Sequence, residues 1–169
     1  MALGPQLRLA MDLLIEELEA LQAQLRRIGQ AIRELAKSQR HAAAVAVLTS
    51  HPGVGLIVAM AFRTELHQAG QFTDAAQVGK YVGLAPRVRQ SGQSRTDGPI
   101  SRTGRPALRA LLTQGAWMWI RRDAAARKVF DRLVGNTGSV KKAIIGMARR
   151  LAIRLWRMLV TGECYRAAA

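Results

Sequence analysis

The chain has 169 residues, 49% of them apolar, which is enough for one domain with a real core and too apolar for wholesale disorder. Its 26 Lys and Arg against 11 Asp and Glu leave a net charge of +15, far more asymmetry than solubility needs and well suited to a polyanion such as DNA. One cysteine excludes an internal disulfide, and no apolar run approaches the roughly 20 residues that span a bilayer. With no basic-then-apolar leader at the N-terminus either, the expectation is a protein of a reducing cytosol with no membrane partner.

The charge is uneven. Residues 1–40 carry six basic and five acidic side chains, and residues 41–169 carry the other 20 and six. In the first segment Leu7, Met11, Leu14, Leu18, Leu21, Leu25, Ile28, Ile32 and Leu35 follow a 4-3 spacing, a heptad seam held over four repeats. Pro5 suits a first helical turn, and early acids with late bases complement the helix dipole. The seam predicts one helix over residues 5–39, acting as a coiled-coil stalk that joins copies of the chain. The plain alternative is a long helix packed on its own domain, but a globular helix usually has a wider apolar face.

Residues 41–169 are predicted to form a second, helical domain. Across residues 44–66 two apolar helical stretches flank His51-Pro52-Gly53-Val54-Gly55, the pattern of a helix–hairpin–helix. In that reading Gly53, Val54 and Gly55 present backbone amides to a DNA phosphate at the start of the second helix. An ordinary glycine turn is the bland alternative. A short helix over 73–82, capped by Thr73 or Asp74, ends at Gly83 before Pro86.

The stretch from Gly83 to Arg109 then carries six arginines among glycines and hydroxyl residues, and reads as an irregular loop. Such a stretch cannot bury a core, but it can wrap a phosphate backbone. A hydroxyl attacking a phosphodiester needs an open position, cations for the developing charge and a backbone free to reach the strand. Ser91 beside Gly92 meets the first and last, and Arg87, Arg89, Arg95 and Arg102 meet the second. Ser94 and Ser101 have similar credentials. Serines that only donate hydrogen bonds to phosphates are the commoner case. Arg105 and Arg109 extend the basic surface.

Helices are predicted from Arg105-Pro106, near 124–134 and over 139–160, broken at Gly135–Gly138. No period-two strand run is visible, so the fold class is all-α. The Trp residues at 117, 119 and 156 read as core, and Tyr165 as part of a frayed tail. Outside the first segment the carboxylates are Glu65, Asp74, Asp97, Asp123, Asp131 and Glu163, too widely spaced for a two-metal nuclease centre, so no cofactor is expected in this chain.

The order PGVG, FTDAAQVGKYVGLAPR, QSGQSR, GPISRTGRPALRALLTQGAW and LWRMLVTGECY resembles the C-terminal transposase domain of the insertion-sequence-110 family, also called 116 and 902, over residues from about 44 to 165. The resemblance implies a DNA recombinase whose nucleophilic serine, here Ser91, joins the DNA strand. It further implies a guide RNA and a coiled coil before the domain. It also implies an N-terminal RuvC-like domain with four metal-binding acids, where Mg2+ is expected. No βαβ pattern or acid tetrad precedes the stalk, so the expectation is a truncated or isolated part of such a protein. Arg102 stands where the family usually has lysine, Arg105-Pro106 follow where it has asparagine, and Gln93 replaces a glycine. The resulting expectation is DNA binding and strand exchange. The alternatives are a non-catalytic DNA-binding fragment and a coiled-coil assembly protein with RNA contacts.

Overall fold

The computed structural model describes residues 4–91, 94–100 and 104–166, and it divides into two units, Met1–Ser38 and Gln39–Ala169. The first unit is a single helix, α1 (Pro5–Lys37), with Pro5 in its first turn and Ser38 at its C-terminus. Its 33 residues make a rod about 50 Å long. Leu7, Met11, Leu14, Leu18, Leu21, Leu25, Ile28 and Leu35 of the heptad seam are exposed. Leu9, Leu13 and Ile15 are exposed as well, so the apolar stripe is broader at the N-terminal end than the seam alone.

The second unit is all-α in its body. Helices α2 (Ala42–Thr49) and α3 (Leu56–Glu65) pack on each other across a short turn, a 3-10 turn covers Ala69–Gln71, and α4 (Ala75–Tyr81) follows. Then come α5 (Pro106–Arg122), α6 (Ala124–Thr137) and α7 (Val140–Thr161). Helix α7 is the centre of the core. Its buried residues Ile144, Met147, Ala148, Leu151, Leu155 and Met158 recur at three- and four-residue steps and pack against α5, α6, α4 and α2. Full burial of each such Leu or Met contributes about 1.5–3 kcal/mol. Leu108, Leu112, Ala116 and Ile120 of α5 and Phe62 of α3 supply the facing side.

The helix ends follow from side chains visible in the sequence. Asp74 accepts the Gln77 amide at 2.8 Å and Asp123 accepts the Ala126 amide at 2.9 Å, satisfying N–H groups the first turns leave free. Gly138 and Gly162 end α6 and α7 in the left-handed region at φ 61° and 72°. Helix α6 therefore runs through Gly135, beyond the expected break, and stops at Gly138.

One expectation fails. The stretch after Pro86 is not an irregular loop but an antiparallel hairpin of β1 (Pro86–Ser91) and β2 (Ser94–Ile100). Period-two apolar alternation marks strands that bury one face on a core. A polar, arginine-rich pair projecting from a helical body lacks that signal. Among the described residues no helix is long and apolar enough to cross a membrane.

Candidate nucleic-acid interface

The hairpin is held at a narrow root. Gly83 (φ 72°) precedes it and Gly104 (φ 137°) follows it, and a Cβ on Gly104 would lie 2.8 Å from the Gly83 nitrogen. A side chain at position 104 would collide with the entering chain, so glycine there lets entry and exit come this close. Arg105 secures the root. Its Nε lies 3.0 Å from a Glu65 carboxylate oxygen at the end of α3, and its Nη2 donates to the Tyr81 hydroxyl at 3.4 Å. Tyr81 in turn donates to the Glu65 carbonyl at 3.2 Å and meets Phe72 edge-on. The Tyr81 hydroxyl and then the Glu65 charge raise the Arg105 pKa further above its ordinary range. Arg105, expected on DNA, is thus engaged as the hairpin's anchor.

The register pairs Pro86 with Ile100 at the root and Ser91 with Ser94 at the far end, with an irregularity between Pro86 and Val88. Ser91 therefore stands five strand positions out, about 17 Å from the root. Arg89 pairs with Thr96 and Arg95 with Gln90, so Arg89 and Ser91 share one register parity and Arg95 has the other. Arg87 lies at the irregularity. Ser94 stays beside Ser91, while Ser101 and Arg102 lie outside the described residues. Arg109 sits in the first turns of α5, half-buried, and its Nη1 is enclosed with no hydrogen-bond partner among the described residues.

The turn between α2 and α3 separates three residues that the sequence grouped together. Gly53, at φ 116°, is buried against α5, where a Cβ would meet the Gly115 carbonyl oxygen at 2.5 Å. The buried Val54 gives its amide to the His51 carbonyl at 3.0 Å. Gly55 is exposed and forms the N-cap of α3, with nothing within 4 Å of the Cβ position. Of the three, Gly55 alone is exposed at the start of α3, while Gly53 and Val54 are buried.

A cluster that sequence reasoning missed lies behind this turn. Tyr165 is pinned, not frayed. Its amide donates to the Ser50 hydroxyl at 2.9 Å and its own hydroxyl donates to Asp123. Trp119 Nε1 donates to the same carboxylate at 3.2 Å. Burial alone would raise the Asp123 pKa, but donors from Tyr165, Ala126 and Trp119 hold it below the usual carboxylate range. Burial and then Asp123 push the Tyr165 phenol up. His51 is fully buried with edge-on contacts to Trp119 and Tyr165 at centroid distances of 4.9 and 4.5 Å. The Arg154 guanidinium covers both aromatic rings, 5.0 Å from the Trp119 centroid and 5.2 Å from that of Tyr165. The one sequence signal was an aromatic residue soon after a helix-ending glycine. Among the described residues no group of three or more His, Cys, Asp or Glu side chains could hold a metal ion.

Comparison with known proteins fits this arrangement. Residues 45–131 match the family model described as the transposase IS116/IS110/IS902 family. A putative transposase, y4rJ, of Sinorhizobium fredii is 38% identical over 96 residues, 54% of this chain and 24% of that protein. The insertion element IS110 uncharacterized 43.6 kDa protein of Streptomyces coelicolor is 31% identical over 70% of this chain and 29% of its own length. A probable family 20 transposase of Pseudomonas aeruginosa is 30% identical over 89% of this chain and 45% of its own length. The chain thus spans less than half the length of these relatives.

Proposed function

Because the chain belongs to the transposase IS116/IS110/IS902 family, we propose that it binds DNA and takes part in strand exchange through Ser91. The observation that carries this reading is the placement of Ser91 at the outer end of a hairpin rooted on Gly83 and Gly104 and braced by Arg105 on Glu65. A nucleophile must reach a phosphodiester that a bulky duplex holds at arm's length, and a rooted hairpin supplies reach with a fixed base. In the proposed step the Ser91 oxygen forms an ester bond to phosphorus, the bond from phosphorus to the leaving strand oxygen breaks, and the serine proton ends on that oxygen. Arg87, Arg89, Arg95 and Arg102 supply positive charge for the phosphorane.

A covalent-capture assay tests it. With a suicide DNA substrate, and with a longer member of the same family supplied where the chain alone is silent, a protein–DNA adduct is expected on a denaturing gel. The adduct should vanish in Ser91→Ala and persist in Ser94→Ala and Ser101→Ala. An adduct unaffected by Ser91→Ala would remove Ser91 from the role. A second reading is DNA binding without cleavage by this chain, which the net charge of +15 supports by itself. It predicts salt-sensitive binding with no adduct under any of these conditions. A guide RNA belongs to this reading as a partner of the whole protein.

The reading also includes self-association through residues 5–39, supported by the exposed seam on α1. Sedimentation equilibrium should give a dimer or tetramer for the full chain. Replacing Leu18, Leu21 and Leu25 together by Gln should weaken association at least tenfold. A monomeric wild-type chain would end this part of the reading.

A further inference from the structure

A cleft of about 410 Å3 opens between α5, α6, α7 and the tail after Gly162, within the size range of small-ligand sites. Its floor is apolar, formed by Ala125, Val129 and Ile153. Three arginines of α7 line it, Arg150, Arg154 and Arg157, four and three residues apart and so on one face of the helix. Arg149 is not among them. It turns to the other side, against Gly79 of α4, where a Cβ would lie 3.0 Å from its Nε. The three cleft arginines have no ion-pair partner among the described residues. The one carboxylate at the cleft, Asp123, already accepts from Tyr165, Trp119 and Ala126 and has little capacity left to neutralise them.

These features select a ligand with an anionic part and a flat apolar part. Arg154 lies over the rings of Trp119 and Tyr165, so its guanidinium is held by stacking rather than left free to follow a phosphate. A guanidinium plane held this way is a platform for an unstacked base. Arg150 and Arg157 are exposed and flank it, about 10 Å apart along the helix. Base-paired DNA has no use for the apolar floor, because its base faces are covered within the stack.

We infer that the cleft takes one unstacked nucleotide of a single strand, with its base on the apolar floor beside Arg154 and its flanking phosphates on Arg150 and Arg157. This rests on the nucleic-acid reading above and adds a second site, remote in sequence from the hairpin serine. Such a site would hold a displaced strand by its base faces while the rest of the basic surface holds duplex.

The test compares a fluorescent single-stranded DNA, an RNA of the same sequence and the matching DNA duplex, using anisotropy with the full chain. Val129→Trp fills the floor without changing charge. It should weaken single-strand binding about tenfold, the magnitude of one lost base stack, and alter duplex binding less than twofold. Arg157→Gln should weaken single-strand binding and reduce its salt slope by roughly 0.7, the value for one phosphate contact on a single strand. Arg157 is exposed, so this variant carries the test if Val129→Trp does not fold. Selective loss with the DNA strand identifies displaced DNA as the occupant, and selective loss with the RNA strand identifies RNA. Unchanged single-strand affinity in folded Val129→Trp, or an equal fall for strand and duplex, overturns the cleft assignment and leaves the DNA reading standing. A wild-type chain that binds none of the three nucleic acids overturns both.

Discussion

Gly53→Ala should lower the melting temperature of the chain by roughly 10 °C or more. At φ 116° the residue lies where L side chains are strained, at a cost of about 1–3 kcal/mol. The new Cβ would stand 2.5 Å from the Gly115 carbonyl oxygen, 2.7 Å from the Trp119 nitrogen and 2.9 Å from the Trp119 Cβ. These are backbone or near-backbone atoms of α5, which cannot swing aside as the tip of a long side chain would. The α5 backbone is tightly seated as well, because even a Cβ built on Gly115 would lie 3.0 Å from the Gly53 carbonyl oxygen and 3.1 Å from Leu151 Cδ2. Forcing the helix away adds about 1–3 kcal/mol of overpacking. The sum, about 4 kcal/mol, is a large part of the 5–15 kcal/mol that holds a typical domain, and about 3 °C per kcal/mol gives the expected shift. Gly55→Ala is the control. With φ at −90° and nothing within 4 Å, only the N-cap preference for glycine over alanine is lost, about 1 kcal/mol, so it should melt within about 3 °C of wild type. Thermal melts followed by circular dichroism decide the matter. If both variants melt like wild type, the turn is not seated on α5.

That contrast also marks how far the sequence could be read. Pro5, Pro106, Asp74, Gly83 and the glycine at 138 state their structural roles locally, so helix order and most boundaries were legible from residues alone. The heptad seam was legible for the same reason, because periodicity is a property of neighbours. The role of Gly53 was not. A glycine that permits close approach reads the same whether a phosphate or a helix backbone approaches, and only the fold supplies Gly115 as the neighbour. The hairpin was hidden because the sequence from Arg87 to Ile100 holds no period-two run of apolar residues. Its root was hidden because Gly83 and Gly104 are 21 positions apart in sequence. Least legible was the group His51, Trp119, Asp123 and Tyr165, whose members come from three separate segments. The family resemblance directed attention to Ser91 and the arginines around it. The cleft beside Arg154 came only from the packing of α6 and the tail on α7.

Stability should also fall as the solution is acidified from about pH 6.5 toward pH 4, and His51 should account for most of the loss above pH 5. Its ring is closed in by Trp119 and Tyr165, and neither ring nitrogen has a hydrogen-bond partner among the described residues. Burial, and then the Arg154 charge, lower its pKa from 6.5 to about 4, while the Pro52 backbone and Asp123 oppose the shift weakly. In the unfolded chain the imidazole takes up a proton near its ordinary value. The unfolded state therefore binds more protons throughout this window, and stability rises with pH across it. The contribution is complete above pH 6.5. It loses about 2 kcal/mol by pH 5 and roughly 3 kcal/mol once the pH is below the folded value. Asp123 is also held low and also loses stability on acidification, but only as the pH falls below the ordinary carboxylate value of 3.8. The interval from pH 7 to pH 5 thus isolates the histidine. His51→Phe keeps an aromatic ring between Trp119 and Tyr165 and removes the titration, so urea unfolding of this variant should show a nearly flat stability over that interval, where wild type falls. Equal slopes for the two proteins would mean that the His51 ring is not held neutral by burial.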